Sequence, residues 1–143
     1  MKISIRQGVF ETNSSSVHSC SVCTDSDYKK WNKGEIWYNE GEDKYLPVDE
    51  AIEFNLNFIK QDQDNEMTDE EFKTFAETYR KTKSMYEAYE SINWDGDEDD
   101  FDPYDIYVSK EYFWERNEYE DWTYSFKDTA GVNMIAWGYC GHD

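Results

Sequence analysis

Apolar residues first alternate along the chain and then change period. Ile3, Ile5 and Val9 lie on or near one face of an opening strand, and Gly8 allows a bend at its end. The run Glu11-Thr12-Asn13-Ser14-Ser15-Ser16 is made of turn formers, so residues 17–23 are expected to return as a second strand beside the first. Residues 25–34 are polar and read as a loop, and residues 35–38 as a short strand closed by residues 39–43.

From Val48 the spacing becomes helical. Ile52, Leu56 and Ile59 fall at i, i+4 and i+7, with Val48 and Phe58 flanking that stripe, which predicts a helix over Val48–Gln61. Thr68 and Glu71 form a capping-box pattern, and Asp69, Glu70 and Glu71 suit the positive end of a helix. Phe72, Phe75, Ala76, Tyr79, Tyr86 and Tyr89 then recur at helical spacing, predicting one continuous helix over residues 69–92, about 36 Å long. After Pro103, residues 106–113, 121–126 and 133–139 are rich in aromatic and β-branched residues and read as strands, with a turn over residues 127–131. Strands, two helices and strands again give an α+β fold with an antiparallel sheet, in a single domain over residues 1–143.

Charge adds what the periodicity lacks. Acids number 33 against 14 bases, a formal charge of −19. Between Ser84 and Ser109 stand Glu87, Glu90, Asp95, Asp97, Glu98, Asp99, Asp100, Asp102 and Asp105, without a lysine or arginine. Among them are Tyr86, Tyr89, Trp94, Phe101, Tyr104 and Tyr107. Disordered acidic tails avoid aromatic residues, so the stretch belongs to a folded domain that presents fixed negative charge. Such a surface repels nucleic acid and free phosphate and attracts basic protein faces. Self-repulsion lowers stability, so the domain is expected to firm up with added salt or on a basic partner. Salt adaptation fits poorly, because the bases are mostly lysine. No segment has the length or apolarity of a signal peptide or membrane span, which points to the cytoplasm.

Three constellations carry residue types suited to chemistry. Asp95, Asp97 and Asp99 resemble the first ligands of a calcium loop, but Asp100 stands where the loop needs glycine and Ile106 where it needs glutamate. Cys20, Cys23, Cys140 and His142 could supply four zinc ligands, yet Thr24 replaces the knuckle glycine and a CxxC on a strand points its thiols to opposite faces. Three cysteines in a reducing compartment read as free thiols, and no metal or cofactor is expected. Ser16 and His18 would share a face of a strand, but no glycine elbow marks a nucleophile and no acid is singled out to orient the base. Serines in a turn equally satisfy backbone groups. Trp114, Trp122, Tyr124, Phe126 and Trp137 read as core aromatics, since base-stacking platforms sit in basic grooves.

The opening Arg6-Gln7-Gly8-Val9-Phe10-Glu11-Thr12-Asn13-Ser14-Ser15-Ser16-Val17-His18-Ser19 resembles the N-terminus of a group of small phage and prophage proteins. The close, Ile135-Ala136-Trp137-Gly138-Tyr139-Cys140-Gly141-His142-Asp143, is similar to the end of many of them. The resemblance implies a phage or mobile-element origin and no chemistry. In charge, size and aromatic content the chain also resembles phage DNA-mimic inhibitors, the anti-CRISPR and anti-restriction proteins. The expectation is a non-enzymatic inhibitor in the host cytoplasm. It would place carboxylates where a basic host nucleic-acid-handling protein, a Cas9-type or restriction nuclease, holds DNA phosphates. Asp95, Asp97, Glu98, Asp99, Asp100 and Asp102 would form the main row, Glu87 and Glu90 a second, and Trp94 and Phe101 the apolar anchors. A small enzyme or ligand-binding protein using the turn from Ser14 to Ser19 with His18, and a phage structural or assembly protein, remain the alternatives.

Overall fold

The computed structural model describes residues 9–11, 16–62, 66–96, 101–102, 104–115 and 120–142. Its elements run β1 (Val9–Glu11), β2 (Ser16–Ser19), β3 (Ser21–Thr24), α1 (Asp25–Asn32), β4 (Ile36–Asn39), β5 (Lys44–Pro47), α2 (Val48–Gln61), α3 (Asp69–Thr82), α4 (Met85–Ser91), α5 (Lys110–Glu115), β6 (Glu120–Lys127) and β7 (Asn133–His142). The fold is α+β with antiparallel sheets. One sheet has five strands built around β7, with β6 along one side and β2 and β3 in line along the other; β4 and β5 form a second, two-stranded sheet. Ile3, Ile5 and Thr12–Ser15 of the expected opening hairpin lie outside the described residues, whereas β1 pairs with β2 as expected.

Residues 17–23 are divided at Cys20 without a register slip: His18 faces Cys140 and Ser21 faces Trp137. At the division the Ser19 hydroxyl accepts the Tyr139 N–H at 3.0 Å. Gly138 lies so close that a Cβ there would meet the Ser19 carbonyl oxygen at 2.1 Å, which only glycine avoids.

Residues 25–34, expected as a loop, contain helix α1. Thr24 caps it by accepting from the Asp27 N–H at 3.1 Å, and Asp25 pairs with Lys29 at 2.8 Å one turn on. Its inward face needs only Tyr28 and Trp31, three residues apart. The side-chain cap and the short spacing were present in the sequence but lacked an apolar stripe long enough to separate from a loop.

The expected long helix over residues 69–92 is two helices. Lys83 turns left-handed (φ 59°), its N–H closes on the Tyr79 carbonyl at 2.7 Å, and Ser84 caps α4 by accepting from the Glu87 N–H at 3.2 Å. Periodicity survives the break because Phe75, Tyr79, Met85 and Tyr89 all still turn inward. A lysine in the left-handed region is strained, so Lys83→Gly is expected to stabilise the fold by roughly 0.5–1 kcal/mol, read as a higher urea midpoint at unchanged slope. A midpoint equal to or below wild type would show the cap to be unstrained.

Residues 106–113 are not a strand either. Val108 makes a two-residue bridge to Tyr38 and the chain then enters α5. The strands expected over residues 121–126 and 133–139 are present as β6 and β7, and all of β6 pairs with residues 133–140 of β7.

Two packed regions meet along this bridge. Trp31, Tyr38, Tyr45, Phe113 and Trp137 fill the space between α1, α5 and both sheets, with Trp31 4.8 Å from Trp137 and 5.4 Å from Tyr38. Ile52, Leu56 and Ile59 of α2 are buried with Phe75 and Tyr79 of α3 and with Met85 and Tyr89 of α4, and Trp37 joins the halves 6.4 Å from Tyr79. Of the aromatics expected in the core, Trp137 lies at its centre and Trp114 packs against it. Trp122, Tyr124 and Phe126 stand outside it.

Candidate acidic interaction surface

Helix α4 separates its two kinds of residue by face. Met85, Ala88 and Tyr89 are buried, while Tyr86, Glu87 and Glu90 are exposed. Past its end, Asn93 turns left-handed (φ 59°) and brings Trp94 back over α3, where the indole N–H donates to the Glu71 carboxylate at 3.1 Å. Glu71 also accepts from the Thr68 N–H at 3.0 Å, completing the capping box. These contacts, the Thr68 backbone bond foremost, hold the Glu71 carboxyl below its ordinary range.

Asp95 follows and is exposed. Asp97, Glu98, Asp99 and Asp100 lie outside the described residues. The chain is described again at Phe101, half-buried and edge-on to Phe58 of α2 at 6.3 Å. Asp102 is exposed, and its carboxylate accepts the Tyr104 N–H at 2.9 Å in a local turn. Asp105 is exposed, and Ile106, Tyr107 and Val108 then plunge into the core.

Asn55 fixes that descent. It is completely buried on α2, donates to the Tyr107 carbonyl at 2.9 Å and to the Tyr79 hydroxyl at 3.0 Å, and accepts the Tyr107 N–H at 2.8 Å. Gly41, in the turn between β4 and β5, touches the segment from the other side: a Cβ there would meet the Tyr104 carbonyl oxygen at 2.3 Å. The same turn brings two acids the sequence did not single out. Glu42 is exposed. Glu40 is half-buried and accepts from the Tyr139 hydroxyl at 3.2 Å; burial pushes its carboxyl up, against that hydrogen bond, and the charge of Asp102 adds to the rise.

The structure therefore sets Glu40 within the field of Asp102, and places Glu87, Glu90 and Asp95 on short, exposed spans between buried anchors. Trp94 and Phe101, expected as contacts for a partner, are each engaged inside the chain, where they pin the acidic segment to α3 and α2. Asn55 left one signal in the sequence: it is a polar residue inside the apolar stripe of α2. Glu40 and Glu42 left none, because only the fold of a distant turn carries them to the segment.

Bases cluster elsewhere. Lys29, Lys30 and Lys33 of α1 and its C-terminal turn line a surface cleft of about 590 Å³. Arg80 is held by Glu53 through two 2.8 Å hydrogen bonds.

The remaining candidates fall into place around β7. Ser14 and Ser15 lie outside the described residues, and Ser16 and His18 occupy β2 opposite His142 and Cys140. Ser19 is buried and serves the strand division. Cys23 is buried, and burial pushes its thiol up to about 11, with Cys20 moved the same way. Among the described residues no three His, Cys, Asp or Glu side chains stand close enough to hold a metal ion. No helix among them is long and apolar enough to cross a membrane.

No family model, curated protein or solved structure matches the chain.

Proposed function

We propose that the chain is a non-enzymatic acidic inhibitor, encoded by a phage or mobile element. It occupies the nucleic-acid groove of a host defence nuclease, Cas9-type or restriction, inside the host cell. One observation carries the reading: exposed Asp95, Asp102 and Asp105 stand beside two points where the backbone is tied down, by Trp94 to Glu71 and by Tyr107 to Asn55. A mimic of the DNA backbone needs charge that stays in place, because mobile acids spread apart and forfeit the entropy gained by counterion release. Glu87, Glu90, Asp95 and Asp102 supply charge on that frame, Asp97, Glu98, Asp99 and Asp100 continue it in sequence, and Glu40 and Glu42 extend it from a neighbouring turn. Repulsion of free nucleic acid by the −19 charge and attraction to a basic groove follow from the same field.

The test is capture from host lysate by wild type and by a variant with Asp95, Asp97, Asp99 and Asp100 all changed to asparagine, washed at low and high salt. Wild type is expected to retain a nucleic-acid enzyme. The variant should bind it about tenfold or more weakly, since each lost charge contact is worth on the order of 0.5–1 kcal/mol. Capture of the same protein by both, regardless of salt, would place binding on another surface and sink the mimicry. Capture of nothing by either would turn attention to a small ligand at the Ser14 to Ser19 turn.

A further inference from the structure

Among the described residues the five-stranded sheet ends in an aromatic strand with Tyr124 exposed and Trp122 and Phe126 half-buried. Among the described residues β6 pairs with β7 alone, so the backbone groups along its outer side meet no other strand. Residues facing each other across an antiparallel pair share a face of the sheet. Asp121, Thr123 and Ser125 face Tyr139, Trp137 and Ile135, of which Trp137 and Tyr139 are buried. Trp122, Tyr124 and Phe126 face Gly138, Ala136 and Met134 and so stand on the opposite face. Tyr124 is 65% exposed and stacks on Phe126 at 6.2 Å, and none of the three joins the hydrophobic core.

Monomeric proteins guard such an edge with central charges, proline or a bulge. Here residues 122–126 have neither charge nor proline, and pairing with β7 runs unbroken. The charges sit at the ends: Glu120 and Asp121 at one, Lys127 at the other.

We propose that β6 is the interface of a homodimer, in which two copies of the strand pair antiparallel about a two-fold axis at Tyr124. A two-fold axis perpendicular to the sheet keeps every side chain on its own face, so a residue can oppose only one an even number of positions away. With the axis at Tyr124, Trp122 opposes Phe126 of the second copy and Thr123 opposes Ser125. Asp121 opposes Lys127, and each of these contacts occurs twice; Glu120 comes opposite Asp128, which lies past the end of β6 with its carboxylate turned to the Ala130 and Val132 N–H groups at 2.9 Å. Moving the axis one residue either way breaks the Asp121–Lys127 match and sets Asp121 against a neutral residue. Within the paired strands, the Asp121–Lys127 match thus selects both the occupant and the register. Aromatic cross-strand pairs supply the apolar part of the contact.

Molecular mass across a dilution series, by sedimentation or light scattering at roughly 0.15 M salt, where repulsion is screened beyond about 8 Å, tests this without any host partner. The outcome is therefore separate from that of the inhibitor reading. Wild type is expected to approach twice 17.1 kDa. Asp121→Lys and Lys127→Asp should each weaken the dimer by roughly tenfold, because two attractive pairs become two repulsive ones. The double variant keeps the net charge of wild type and should restore the dimer. Lys110 lies in the field of Asp121, so a thermal melt of each variant establishes that the monomer is intact. If net charge alone governed association, Asp121→Lys would dimerise more tightly than wild type, and that result overturns the proposal. So does a wild type that stays monomeric, or a dimer indifferent to all three variants.

Discussion

Trp31→Ala is expected to destabilise the fold by about 3–5 kcal/mol. Trp31 has no exposed surface, and its indole lies within ring contact of Tyr28, Tyr38, Tyr45, Phe113 and Trp137. It thereby joins α1, both sheets and α5. The rings around it are too large and too constrained by one another to collapse into the space left behind, so the cavity term is retained in full. The hydrogen bond is the lesser part: the Val108 carbonyl loses the indole donor at 3.2 Å but keeps the Tyr38 N–H at 2.9 Å. Trp31→Phe, which keeps most of the ring volume, should therefore cost clearly less than the alanine variant. Thermal melting should show a fall of roughly 10–15 °C for Trp31→Ala in a domain of this size. A fall of only a few degrees would mean that the two sheets are not held through this ring.

Asn55→Ala is expected to cost about 3 kcal/mol or more, although the position loses little apolar surface. Removing the amide strips its partner from the Tyr107 N–H and the Tyr107 carbonyl inside the protein, each unsatisfied buried group costing about 1–3 kcal/mol, and takes one donor from the Tyr79 hydroxyl. Asn55→Asp makes the point by pH. A carboxyl of nearly the same shape must be buried there, so its folded pKa rises above the ordinary unfolded value of about 3.9. A raised folded pKa means that the variant is least impaired below about pH 4, where the acid is neutral in both states. Its deficit relative to wild type then grows as pH rises toward the folded pKa. Denaturant midpoints for both variants and wild type between acidic and neutral pH decide it. The alanine deficit should be flat, the aspartate deficit should rise, and a flat aspartate deficit would show that residue 55 is not buried against Tyr107. Because Asn55 holds the exit of the acidic segment, Asn55→Ala should also weaken capture of a partner under conditions where the variant remains folded.

Some of this architecture was legible from the sequence because its cause is local. The stripe of Ile52, Leu56 and Ile59 placed α2 at the same limits the structure shows, and Thr68 with Glu71 announced the start of α3. β6, β7 and the turn between them also stood where alternation and turn residues put them. Helix α1 was missed because two inward residues, Tyr28 and Trp31, are too few to establish a period. The break at Lys83 was missed because both helices turn the same face inward, which leaves the period intact across it. Residues 106–113 have strand composition, yet bridge only at Val108 because Tyr38 offers a single partner position before α5 begins.

The sequence by itself determined the net charge, the concentration of acids after Ser84, the α+β class and the ends of the capped helices. Each of these depends on composition or on interactions spanning a few residues. Tertiary structure alone decided that Trp94 and Phe101 anchor the acidic segment inward, that Asn55 ties it to α2, that Glu40 lies within the field of Asp102, and that the aromatic row of β6 is left outside the core. Those outcomes depend on which residues meet across tens of positions in the chain, and that is fixed by how α2, α3 and the sheets pack, not by any preference a short stretch carries.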